Sequence, residues 1–121
     1  MDGAKKLGNA GEKAAKSFLL QHGYKILTTN YTALAGEIDI VAIETGDLVF
    51  IEVKTRRSFR CGLPRQAVNQ TKKRKIIQTA RCFLYTHQEY EDYNCRFDVV
   101  EVYQAAGSQQ INIIKNAFEV S

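Results

Sequence analysis

Asp39, Glu52 and Lys54 are residues whose types and spacing could do chemistry together. They lie in GEIDIVAIETGDLVFIEVKTR, residues 36–56, which reads as two β-rich runs, 37–44 and 47–55. The runs meet at Thr45-Gly46, a short turn with the glycine that hairpins favour. If Glu44 pairs with Asp47 around that turn, paired residue numbers sum to 91. Asp39 is then opposite Glu52, and Glu37 opposite Lys54. Alternation along the strands puts Asp39, Glu52 and Lys54 on one face. Carboxylates so opposed repel by about 1 kcal/mol in water and about 4 kcal/mol at an effective dielectric of ~20, for charges ~4 Å apart. Folding alone avoids such an arrangement.

Three things could offset the repulsion: neutralisation by Lys54, a proton held on one carboxyl, or a divalent cation bound by both. The bland alternative is a solvated surface, with Glu37 and Lys54 as a cross-strand ion pair. Against it, Val41, Ile43, Leu48 and Phe50 share the face of the acids, and Ile38, Ile40, Ala42, Val49, Ile51 and Val53 make the other face apolar as well. Strands apolar on both faces are buried strands, and lone charges at their ends are costly. A hard cation such as Mg²⁺ takes one or two carboxylates, keeps several waters and accepts phosphate oxygens as further ligands. An ammonium at Lys54 can stabilise charge developing on a phosphate or help orient and deprotonate an attacking water.

The elements that must position these residues follow from periodicity. Leu7 to His22 has a helical apolar stripe ended by Gly23, a C-cap candidate. Glu12 projects to the edge of that stripe, within reach of the acids or of an i+4 pair with Lys16. Residues 24–29 read as a short strand. A second helix is expected from Pro64 to about His87; on it Lys73 projects into the apolar stripe and Lys72 onto its flank. Residues 95–103 and 109–118 read as further strands. The order αβββαβ(β) implies an α/β fold, a mixed sheet with two long helices packed on it, in a single domain spanning 1–121.

Composition narrows the function classes. The 121 residues carry a net charge of +4, and KTRRSFR (54–60) and KKRK (72–75) hold eight of the seventeen basic residues. That balance is compatible with a nucleic-acid partner. No apolar run is long enough for a signal peptide or membrane helix. Cys61, Cys82 and Cys95 form no CxxC pair, and His22 and His87 complete no zinc site, so a reduced, cytoplasmic protein without membrane contact is expected. GNAGEK lacks the GK[ST] ending and the preceding strand of a phosphate-binding loop.

Taken together, LGNAGEKAAKSFLLQHGYKIL, GEIDIVA, LVFIEVKTRRS, AVNQTKKRKIIQTARCFL and RFDVVEV resemble the YraN family of bacterial proteins, over about residues 7–103. That family is assigned to the PD-(D/E)xK nuclease-like superfamily and is similar in layout to archaeal Holliday-junction resolvases. The resemblance implies a restriction-endonuclease-like αβββαβ core and a DNA endonuclease dependent on Mg²⁺ or Mn²⁺, with no other small-molecule cofactor. Asp39 and Glu52 would hold the metal, joined by the Val53 carbonyl, with Lys54 and Glu12 as further catalytic residues. Ile38 stands where the superfamily has proline. Arg56, Arg57, Arg60, Lys72 and Lys73 would contact DNA, the family favouring Lys72 over Lys73. Branched DNA needs two symmetric cuts, which motivates a homodimer. The alternative is a non-catalytic DNA-binding module of the same fold acting with a partner protein.

Overall fold

Local chemistry sets the elements. In a computed structural model, which describes residues 2–56, 69–105 and 107–118, helix α1 spans Asp2–Gln21. It ends at Gly23 (φ +87°), where the Tyr24 N–H donates to the Leu19 carbonyl at 3.0 Å. This is a Schellman closure, with Leu19 and Tyr24 buried in one cluster as its apolar contact. Strands β1 (Lys25–Ala33), β2 (Gly36–Glu44) and β3 (Asp47–Arg56) follow. Thr45 (φ +50°) and Gly46 (φ +82°) both take the left-handed conformation of a tight hairpin turn. Helix α2 spans Gln70–Thr86, capped by Asn69, whose side chain accepts from the Lys72 N–H at 2.9 Å. The expected start near Pro64 lies outside the described residues; the helix itself begins at Gln70. A 3-10 turn (Gln88–Tyr90), β4 (Asn94–Ala105) and β5 (Ser108–Ile114) complete the order.

The five strands form one mixed sheet in the order β1-β2-β3-β4-β5. Only β3 and β4 run parallel, with α2 in the connection between them. One apolar layer, with Ala15, Leu19, Ile40, Ala42, Val49, Ile51, Val100 and Val102, joins the sheet to α1. The other, with Val41, Leu48, Phe50, Ile76, Ala80, Phe83, Phe97 and Val99, joins it to α2. The central strands are thus covered on both faces, as their apolar runs imply. Helix α1 meets β3 at Gly11, where a Cβ would overlap the Thr55 hydroxyl. This is an α/β fold consistent with a restriction-endonuclease-like core. Among the described residues no helix is long and apolar enough to cross a membrane.

Candidate functional site

The β2–β3 ladder keeps the expected register from Glu44↔Asp47 to Ile40↔Ile51 and then stops. One residue further on, the Val53 N–H donates to Asp39 Oδ2 at 2.8 Å. On the β1 side, Asn30 (φ +53°) lies between the Thr29↔Ile40 and Tyr31↔Ile38 pairs. Side-chain alternation breaks at Asp39: Ile38 packs in the α2-side cluster while Ile40 packs in the α1-side one. Two expectations are corrected here. Ile38 does not share a face with Ile40 and Ala42, and the ladder extends neither to Asp39 and Glu52 nor to Glu37 and Lys54. The cause is that Asp39 takes over a backbone N–H where the strands part, and so lies in a notch between them.

The acids still meet. Burial first, then the charge of Glu52 and a hydrogen bond between the two carboxyls, raise the Asp39 pKa to about 6, although the Val53 N–H pulls it down. Glu52 is buried, and its Oε1 is 3.1 Å from Lys72 Nζ and 4.0 Å from Lys54 Nζ. Burial, and then a hydrogen bond with Lys72 and its charge, lower Lys54 to about 8. Lys72 moves upward: burial lowers it, but the hydrogen bond with Lys54 and the carboxylates of Glu52 and Asp39 outweigh that. Of the three offsets expected for the opposed carboxylates, an ammonium is present in the fold, and the raised Asp39 pKa favours a second, a proton held on that carboxyl. The nearer ammonium is that of Lys72, which the Asn69 cap holds in the first turn of α2.

Two clefts open on this notch. On the α2 side a cavity of about 290 Å³ is lined by Glu37, Asp39, Glu52, Lys72 and Lys75. On the α1 side one of about 590 Å³ is lined by Glu12, Lys13, Lys16, Thr29, Asn30 and Asp39. Glu12 is thus brought to Asp39, and burial, then the charges of Asp39 and Glu37, raise its pKa. No ion pair with Lys16 forms among the described residues. Other expected residues are not brought in. Lys73 places its ammonium 5.6 Å from the centre of the Phe118 ring. Arg56 is half-buried, its Nε without a hydrogen-bond partner, and its charge acts on buried Glu101. Arg57 and Arg60 lie outside the described residues. Lys13, Lys16 and Lys75 were missed as site residues because only the tertiary fold places them beside Asp39; the lysines of KKRK were the one signal for Lys75.

A second charged cluster at the turn end of the same strands also escaped the sequence reading. Arg96 on β4 bonds Glu44 Oε1 (2.8 Å), Asp47 Oδ2 (3.0 Å) and both oxygens of buried Asp98 (2.9 and 3.0 Å). Asp98 also accepts from the Tyr24 hydroxyl and the Asn116 N–H, both at 2.9 Å, and Lys115 reaches Glu44 at 3.3 Å. The Arg96 hydrogen bond is the main cause holding Glu44 below the usual carboxylate range.

The donor chemistry of Asp39 and Glu52 suits a hard divalent cation, since both offer carboxylate oxygens to one cleft. Among the described residues no three His, Cys, Asp or Glu side chains form a group that could hold a metal ion. A cation on this pair would take its remaining ligands from water and substrate oxygens, as Mg²⁺ commonly does.

Comparison with known proteins identifies relatives across nearly the whole chain. Residues 11–102 match the family model described as "Uncharacterised protein family UPF0102". A UPF0102 protein of Caldicellulosiruptor saccharolyticus is 46% identical over 118 residues, covering 94% of this chain and 98% of the relative. One from Desulforapulum autotrophicum is 46% identical over 114 residues (94% and 93%), and one from Clostridium acetobutylicum is 42% identical over 118 residues (96% of each).

Proposed function

We propose that this chain, which belongs to the UPF0102 family, is a Mg²⁺- or Mn²⁺-dependent endonuclease that hydrolyses DNA phosphodiester bonds. The observation that carries the reading is the pair Asp39–Glu52: two carboxyls lining one cleft at the end of buried strands, flanked by Lys54 and Lys72. A cation bound there would supply Lewis acidity toward a phosphoryl oxygen and lower the pKa of a bound water. Asp39 and Glu52 would hold it, and an Asp39 pKa of about 6 means that its carboxyl is deprotonated at neutral pH, as a ligand must be. Lys54, depressed to about 8, exchanges a proton with the attacking water or offers an ammonium to the charge that builds on phosphorus. Lys72, released from Glu52, neutralises a phosphate. With no base-reading element among the described residues of the site, contacts to phosphates make binding salt-sensitive and sequence-blind. Two-strand incision of a branch would need two such sites, which makes a homodimer the expected assembly on that substrate.

Calorimetric titration of Mn²⁺ into the protein beside Asp39→Asn is the first test. Binding at one site in the parent that disappears in the variant, followed by metal-dependent cleavage of branched or nicked DNA, is the expected result. Absence of metal binding both with and without DNA would overturn the reading. One observation favours a second reading, a non-catalytic DNA-binding module acting with a partner protein: Lys72 already occupies a Glu52 oxygen at 3.1 Å. On that reading DNA binds, but no metal displaces the ammonium.

A further inference from the structure

Asp39 is a wall of two clefts, and only the α2-side cleft is accounted for by the acid pair and its lysines. The larger α1-side cleft, about 590 Å³, has the volume of a site for one nucleotide-sized ligand. Lys13 and Lys16 line it, one helical turn apart on α1, and both are exposed. Neither makes an ion pair among the described residues, although Glu12 is close by in sequence. Across from them, Thr29 and Asn30 on β1 offer a hydroxyl and an amide, and Asn30 takes a left-handed φ of +53° where β1 and β2 are irregular. Among the described residues no aromatic ring lines this cleft, which leaves it without a surface on which to stack a base. Its chemistry is that of a sugar-phosphate.

We infer that the α1-side cleft is a subsite for one nucleotide of the cleaved strand, adjoining the scissile phosphate, with Lys13 and Lys16 on its phosphate and Thr29 and Asn30 on its sugar. The inference rests on the proposed nuclease reading and narrows its substrate. A base-paired duplex is too wide for a cavity of this size, so the strand enters unpaired. The substrate class is single-stranded DNA or the unpaired nucleotides of a flap or branch point. Glu12 and Asp39 in the same wall repel a bare phosphate, so occupancy requires a divalent cation at the acid pair.

The test is the anisotropy of a short fluorescein-labelled single strand across a KCl series in Ca²⁺, with a blunt duplex in parallel. The proteins are the parent, the double variant Lys13→Gln/Lys16→Gln, and a charge-matched control, Lys25→Gln/Arg81→Gln, whose changes lie outside both clefts. Tighter binding of the single strand than of the duplex by the parent is expected. The Lys13/Lys16 variant should weaken single-strand binding at least tenfold and lower the salt slope by about 0.7, the value for one neutralised phosphate. The control should keep the parent's slope, and all three proteins should bind Mn²⁺ alike. If the double variant matches the control, or if the duplex binds more tightly, the subsite is wrong while the nuclease reading stands. If the parent binds Mn²⁺ but no DNA at all, both fall.

Discussion

Two clusters of charge sit on the same central strands, five residues apart along β3, and they are built on opposite rules. At the turn end, the guanidinium of Arg96 meets Glu44, Asp47 and Asp98, and Lys115, Tyr24 and the Asn116 N–H supply further donors. Its acids are matched by donors of fixed geometry. At the other end, burial and the charge of Glu52 raise Asp39, burial and then its neighbour Lys72 depress Lys54, and Glu12 adds a further acid held above its ordinary pKa. One end resembles the interior of a completed salt-bridge network. The other has three carboxyls and two ammonium groups that disagree about who should be charged. Proteins tolerate such disagreement where a ligand resolves it, and perturbed acids in a cleft are the usual mark of a functional site.

The largest expected effect separates the two ends by stability. Arg96→Met leaves Glu44, Asp47 and Asp98 without their shared cation, and losing one partner of a buried ion pair costs about 3–5 kcal/mol. Glu52→Gln removes one of two opposed acids and leaves Lys72, whose side chain is 39% exposed, to the solvent. Urea unfolding should show the Arg96 variant strongly destabilised and the Glu52 variant within about 1 kcal/mol of the parent. Equal losses would mean that both clusters are structural and would erase the contrast.

The next effect is read in activity. Lys54→Met should reduce metal-dependent DNA cleavage by about 10²- to 10³-fold, the range for losing one group that stabilises charge or moves a proton. Its Mn²⁺ binding should persist, since Lys54 is not a ligand. Lys73→Met, whose ammonium lies over Phe118, should cleave within about twofold of the parent, because the only change is at a cation–π contact outside the clefts. Comparable losses in the two variants would shift the centre of the site away from the notch.

Much of this was legible in the residues. The glycine of Thr45-Gly46 and the apolar runs on either side are local signals, and they set the register that brings Asp39 and Glu52 together. The ladder's end at Ile40↔Ile51 was not legible, because there Asp39 captures the Val53 N–H, which leaves no periodic trace. Helical projection put Lys73 inward and Lys72 on the flank. Phe118, far along the chain, and the Asn69 cap decide what each one touches. Asn69 itself was a readable start signal, passed over in favour of Pro64. The Arg96 network joins residues 44, 47, 96, 98 and 115, and only the β3–β4 crossover makes them neighbours. Lys13 and Lys16 carry no local signal of a site for the same reason: nothing in the helix says that β1 and Asp39 lie across from them.

The smallest effect is the sharpest discriminator, because its sign differs between the ends. Asp39 is raised in the folded state from 3.8 to about 6. The folded protein therefore holds that proton more tightly than the unfolded chain, and the stabilisation is fully present below about pH 4 and is lost as pH rises through about 6. Glu44 is lowered from 4.5, chiefly by its hydrogen bond from Arg96. Its stabilisation is present above the unfolded value and lost as pH falls through the folded one. Unfolding free energies of the parent, Asp39→Asn and Glu44→Gln, measured from about pH 4 to about pH 7, should give two difference curves of opposite slope. The Asp39 curve should fall by on the order of 1 kcal/mol, less than the full shift would imply because solvent reaches the notch. Saturating Mn²⁺ should flatten or reverse the Asp39 curve, since a cation needs the deprotonated pair, and should leave the Glu44 curve unmoved. If Mn²⁺ shifts neither curve, the raised Asp39 pKa is only a feature of the fold and the acid pair is no metal site. If it shifts both, the two ends are coupled through β3, and their separation into a structural and a functional cluster is wrong.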